Sequence, residues 1–315
     1  MISEKDLKKI TAKLDVNYDL IVNYHLNAGE RIILNDSVNN KCRFCGKSSP
    51  EVSFKKDAHV LSHMIGNKYL LSTFECDVCN ARFSQAESEY SQFMGMHHSV
   101  MKIRGKHHIP KFKDGRVSID SRSNNLSISV ISDKHSVSEN FIIDKENKIL
   151  KLDVKRNYIP SEVWKAITKM ALSVLPEEYL SDFQNSLEWL KSDRNNEGKF
   201  KLLNYPVVFK YYPLQFPFIT TSIFRRKNTC QECVPGYIFI LAYSGIYIEM
   251  PITGCSLDEK KVGEKITLPI IPNPLDLISK PYKMETLHLT ENKRKEEFLT
   301  LCFGFKEMEE APIGD

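Results

Sequence analysis

The chain has 315 residues, with 44 Lys and Arg against 40 Asp and Glu for a formal charge of +4, and 42% of its residues are hydrophobic. That length allows two domains, each with its own core, and the near balance of charge excludes a protein that holds nucleic acid by net charge alone. No uncharged apolar stretch approaches the ~20 residues needed to cross a bilayer, and neither terminus shows a signal-peptide pattern, so a membrane partner is excluded and a cytoplasmic location is expected.

Residues 1–37 open with SEKDLKKITAKL, in which Leu7, Ile10 and Leu14 share one helical face; this predicts an N-terminal helical segment suited to docking. Residues 38–116 form a second unit. Cys42 and Cys45 make one Cys-x2-Cys knuckle and Cys76 and Cys79 another. Two such pairs roughly 30 residues apart can close a tetrahedral site on one structural Zn2+, because each knuckle offers two sulfurs from a tight turn. Thiols committed to a metal also imply a reducing compartment.

Between the knuckles runs Asp57-Ala58-His59-Val60-Leu61-Ser62-His63, and Asn80 stands just behind Cys79. If 57–59 is a strand, Asp57 and His59 point to the same face. Gly66-Asn67 reads as a turn, since both residues tolerate the left-handed backbone. On the helix expected after Asn80, Glu87 and Glu89 suit salt bridges or a reach to a metal directly or through water, and His97 and His98 suit a polar helix end or extra ligands or proton carriers. The basic connector, 101–116, carries Lys102, Arg104, Lys106, Lys111, Lys113 and Arg116 against the single acid Asp114. The first five of these are expected to contact nucleic-acid phosphates.

Residues 117–315 read as a larger α+β domain for sensing, recognition or oligomerisation. Strands are expected at LSISVI, ENFII and KILKLDV. Two helices follow, the first capped by Ser161 with Val163, Ile167, Met170, Ala171 and Val174 in one stripe, the second opened by Pro176. Strands return at PVVFKYY and FPFITTSIF, then a hairpin at YIFILAYSGIYIEM, and a closing helix is predicted near 291–301. Cys230 and Cys233 form a third Cys-x2-Cys pair, whereas Cys255 and Cys302 lack knuckle spacing and read as thiols. No glycine-rich phosphate loop is present, which argues against a nucleotide-driven motor.

The stretch from Cys42 to about Pro110, with CRFCGKSSPEVSF, AHVLSHMIGNK, CDVCNARFS and IRGKHHIP, resembles the zinc-stapled branch of the bacterial HNH endonucleases. Weaker similarity continues through YIPSEVWKAITKMALSVLPEEYLSDF. The resemblance implies an α+β chain whose N-terminal ββα-metal module hydrolyses phosphodiesters of DNA with one divalent metal, followed by a mixed α+β domain. It makes His59 the general base, and it puts Asn80 and His63 in the catalytic set with Asp57, His59, His63 and Asn80 around the metal.

The family often has a metal-binding carboxylate directly before the base; here that residue is Ala58, and Asp57 is the nearest substitute. The middle asparagine of the motif is replaced within LLSTF. His63 stands where the family usually has Glu, and an imidazole there shifts the expected Mg2+ toward Mn2+, Ni2+ or Zn2+. By analogy with related stand-alone proteins, the expected role is an anti-phage defence effector restrained by its C-terminal domain, a regulatory protein partner or an activating ligand, with homo-oligomers open. The alternatives are a restriction-type or mobile-element nuclease and a non-catalytic zinc-ribbon adaptor.

Overall fold

The computed structural model describes residues 12, 14–27, 29–36, 40–123, 125–130, 141–193, 199–200, 202–261, 265–269, 271, 273 and 275–304. The predicted N-terminal docking face, with Leu7 and Ile10, lies outside them. Farther along the segment expected to be helical, Tyr18–Leu26 is a strand, β1. It pairs antiparallel with a strand some 200 residues away, from Tyr18 opposite Arg226 to Leu26 opposite Ile219. The aromatic and β-branched residues of YDLIVNYHL suit a pleated surface, and a distant partner supplies the ladder that local periodicity cannot reveal.

The expected module is built on three short strands, β2 (Ile32–Leu34), β3 (Ala58–His59) and β4 (Leu70–Ser72). β4 is central, parallel to β2 and antiparallel to β3. The long helix α1 (Asp77–Val100) follows directly. A second small sheet holds β5 (Phe112–Lys113), β6 (Val117–Asp120) and β7 (Ser127–Val130). Because Lys113 pairs with Ser118, the basic run ends inside a hairpin, with position 116 in its turn.

The rest is mainly antiparallel sheet. Strands β8 (Phe141–Asp144) and β9 (Ile149–Tyr158) lead to helices α2 (Pro160–Val174) and α3 (Gln184–Lys191). Strands β10 (Val207–Tyr211), β11 (Ile219–Arg226), β12 (Tyr237–Tyr243) and β13 (Ile246–Pro251) follow. After the one-turn helix α4 (Leu275–Ile278) come β14 (Lys283–Leu287) and β15 (Lys295–Gly304).

The large sheet runs β1-β11-β12-β13-β10-β14, and a three-stranded sheet runs β15-β9-β8. The predicted hairpin forms at Ser244 and Gly245, both with positive φ, as a two-residue turn needs. A side chain at Gly245 would run into the carbonyls of Tyr212 and Leu214.

Two helical expectations are corrected. The segment near 291–301 is strand β15, because KEEFLTLCFG alternates burial with period two and pairs with β9 along its length. Pro176 opens a 3-10 turn, Glu177–Phe183, and α3 begins only at Gln184. Helix α2 is buried on every side, and Ser161 does not cap it: Ile159 holds that position, Pro160 is the first helical residue, and the Ser161 hydroxyl has no partner. The cap comes from α1, where the Glu89 carboxylate accepts the Ile159 N–H at 3.0 Å. Glu89 also pairs with Arg294.

One core cluster passes from the module through α1 and α2 into the large sheet, joining Cys42, Phe83, Phe93, Ile167, Phe209 and Leu241. His97 and His98 belong to this interior rather than to a polar helix end. His97 stacks on Tyr211 with ring centroids 4.0 Å apart, and the His98 Nε2 lies 3.1 Å from the Tyr243 hydroxyl, which also meets Tyr90.

Burial holds His97 well below the usual imidazole range and His98 down to about 3. Both are therefore neutral when folded but take up protons on unfolding below about pH 6.5, so the stability they contribute is full above that pH and is lost as pH falls. The urea midpoint, followed through the fluorescence of Trp164 and Trp189, should fall between pH 7 and pH 5 by the equivalent of roughly 2 kcal/mol per histidine. His98→Gln should make that fall shallower.

Candidate active site

The four knuckle sulfurs, from Cys42, Cys45, Cys76 and Cys79, lie within 4.8 Å of one another. Cys45 Sγ and Cys76 Sγ are 3.8 Å apart, and a tetrahedron with Zn–S bonds of about 2.3 Å has edges of about 3.8 Å. Local geometry explains the convergence. Gly46 takes φ +70 and returns its N–H to the Cys42 carbonyl, closing the first knuckle. Cys76 is the N-cap of α1, and its sulfur accepts the Cys79 N–H at 3.4 Å.

The donor chemistry fits zinc. A hydrogen bond from the Cys79 thiol holds Cys42 down to about 4, while the same contact pushes Cys79 up and burial raises Cys76 to about 11. The Cys42 thiolate thus disfavours charge on Cys76 and Cys79, and a cation among the sulfurs would remove that penalty.

The staple holds the histidine hairpin. His59 lies on β3 opposite Leu71 of β4, and His63 begins a 3-10 turn, His63–Ile65. Gly66 takes the left-handed conformation of that turn at φ +90. Asn67 serves the turn through its amide instead: fully buried, it donates to the carbonyls of Leu61 and Leu70 and accepts from the N–H groups of Tyr69 and Leu70. With all its hydrogen bonds made inside the hairpin, the Asn67 side chain locks the connection between β3 and β4.

That connection brings the two histidines together. Their rings meet edge to face with centroids 4.7 Å apart, and both residues are half-buried. Burial first, then His63 and Lys169, lowers His59 to about 4, so its imidazole is neutral over the physiological range. Burial also lowers His63, whose Nδ1 is buried without a hydrogen-bond partner.

The other expected residues are placed differently. Asp57 precedes β3 and pairs with Arg31 at 3.0 Å, both side chains being more than half exposed. Asn80 is half-buried in the first turn of α1, its N–H bonded to the Cys76 carbonyl. In the basic run, the charge of Lys106 acts on both His59 and His63. Arg104 reaches the His107 carbonyl, Lys111 pairs with Asp120 at 3.7 Å, and Lys102 and Lys113 are exposed.

Two buried ion pairs escaped the sequence reading. Arg43, between the first two cysteines, stacks on Phe74, pairs with Asp36 and donates to the carbonyls of Leu172, Ser173 and Leu175 at the end of α2. Lys169 of α2 lies 2.9 Å from the carboxylate of Glu75, and both side chains are almost wholly buried. Lys169 gave no signal in the sequence, because it shares its helical face with Glu162, Lys165 and Ser173, away from the apolar stripe through Val163, Ile167 and Met170.

Residues 42–93 match a protein-family model described as HNH endonuclease. The matched segment holds both knuckles, the histidine hairpin and most of α1, so the chain carries an HNH endonuclease domain, a module of metal-dependent nucleases, stapled by a four-cysteine site. No curated protein and no solved structure matches the chain.

Metal analysis should find one zinc per chain, and a strong chelator that releases it should lower the melting temperature. Cys79→Ser should lower both zinc content and melting temperature, because the metal's binding energy is folding energy in so small a unit.

Proposed function

We propose that the chain is a metal-dependent DNA endonuclease in which His59 is the general base. The observation that carries this reading is the pair of neutral imidazoles on the zinc-stapled hairpin of the HNH segment, one with an orphaned buried nitrogen. A neutral His59 can take a proton from the attacking water, and being half-buried it is still reachable by a phosphodiester.

His63, with Asp57 and Asn80, completes the donor set for a divalent ion. The unpartnered Nδ1 of His63 fits such a role, and an imidazole-rich set favours Mn2+ or Ni2+ alongside Mg2+. When bound, that ion supplies Lewis acidity for the charge that develops on the phosphate and the leaving oxygen. Lys106, close enough to act on both histidines, is the first candidate to steer the phosphate backbone, with Lys102, Arg104, Lys111 and Lys113 extending the basic surface.

The finer reading is an anti-phage defence effector whose cutting is restrained by its C-terminal part or by a partner. It is supported by the layout, a small nuclease segment embedded in a much larger chain, and by analogy with related stand-alone proteins. Among the described residues no helix is long and apolar enough to cross a membrane.

Supercoiled plasmid incubated with Mg2+, Mn2+ or Ni2+ should be relaxed or degraded by the wild-type chain. His59→Ala should slow this by about 100-fold or more, the usual scale of general base catalysis, with zinc content unchanged. Equal cutting by the variant would sink the assignment of His59. Discrete fragments from one plasmid would favour a sequence-reading restriction-type enzyme, and general degradation would favour the effector.

A further inference from the structure

Helix α2 lies outside the segment that matches the nuclease family, yet it is tied to that segment at three points. Glu89 of α1 accepts the backbone N–H at its start, and Arg43 of the first knuckle donates to three carbonyls at its end. Between those points the direction reverses. Lys169 reaches from α2 into the module and donates to the backbone carbonyl of His59 at 2.9 Å, while also lying 2.9 Å from Glu75 Oε2.

The surroundings leave Lys169 little freedom. It is 2% exposed, it lies over the Phe83 ring at 5.9 Å, and Glu75 sits next to the zinc ligand Cys76. A buried charge costs stability unless it is paired and hydrogen-bonded, and neither carboxylate oxygen of Glu75 has a hydrogen-bond partner beyond the ion pair with Lys169. An apolar pair of the same volume would fill this space at no such cost. The ammonium therefore does something packing does not, and what it holds is the peptide unit of His59.

We infer that Lys169 is a positioning residue for the nuclease reaction, fixing the His59 peptide, and with it the imidazole, from a helix outside the HNH segment. This rests on the reading of His59 as the general base. It makes α2 part of the working nuclease module, and any movement of α2 against the hairpin is a movement of the base. His59 lies on a strand of only two residues, so its own ladder holds it weakly and an added tether matters.

The test uses the full-length zinc-loaded chain and two variants, Lys169→Met and Lys169→Met/Glu75→Leu. The single variant strands a buried carboxylate and is expected to melt lower. The double variant removes both charges at similar volume and should fold and bind zinc as the wild type does, yet it lacks the hydrogen bond to the His59 carbonyl. Steady-state cutting of plasmid in Mn2+ should show kcat reduced tenfold or more in the double variant, with KM within twofold of the wild type.

In parallel, imidazole nitrogen NMR signals of His59 should shift in the double variant while those of the remote His98 stay in place. A kcat within twofold of the wild type, or His59 signals that do not move, overturns the inference. The imidazole signals report the hold of Lys169 on His59 even if the wild-type chain cuts nothing. Failure of the nuclease reading is thereby separated from failure of this one.

Discussion

Four sulfurs that must meet within the span of one metal ion set the geometry from which the rest of the nuclease module follows. Two of them come from a glycine-closed turn and two from the cap and first turn of α1, so closing the site fixes where α1 starts and in which direction it runs. A module with three strands of two or three residues each has almost no ladder of its own. In its place stand the staple, the buried amide of Asn67 and the Asp77 carboxylate, which accepts the N–H groups of Lys55 and Lys56 and so pins the loop leading into His59. Polar groups satisfied in this way specify one conformation where apolar contacts alone would allow several.

The same helix then has a second duty. Its C-terminal half enters the interior of the larger unit, where Phe93 packs against Tyr158 and Phe209, and His97 and His98 lie against tyrosines of the large sheet. Buried on several sides, α1 has no single apolar stripe, unlike the amphipathic helices of a protein surface. The consequence is that the family-matched segment and the remainder share one core, and neither buries its apolar surface without the other.

What could be read from the sequence was what local chemistry dictates. Knuckle spacing announced the zinc site, the Asp57–His63 run announced a histidine hairpin, and YIFILAYSGIYIEM announced a hairpin of two strands. What could not be read depended on partners far along the chain. β1 is a strand because β11 lies beside it, and 295–304 is a strand because β9 does, whereas the local pattern admitted a helix. Glu89 reads as an ordinary surface acid until a distant backbone N–H is placed against it. Lys169, within a fully buried helix, has no local explanation at all.

These long-range ties bear on how the site is held. Glu89, Arg43 and Lys169 each join the matched segment to α2, and each does so by bonding to backbone rather than by surface ion pairing. Backbone bonds of this kind fix the position of one element against another, since a carbonyl or N–H cannot rotate away from its partner as an exposed side chain can. Helix α2 is fastened in this way at its start, middle and end to the two knuckle-bearing segments and the hairpin. The backbone of His59 is thus held by α2 as well as by its own short strand.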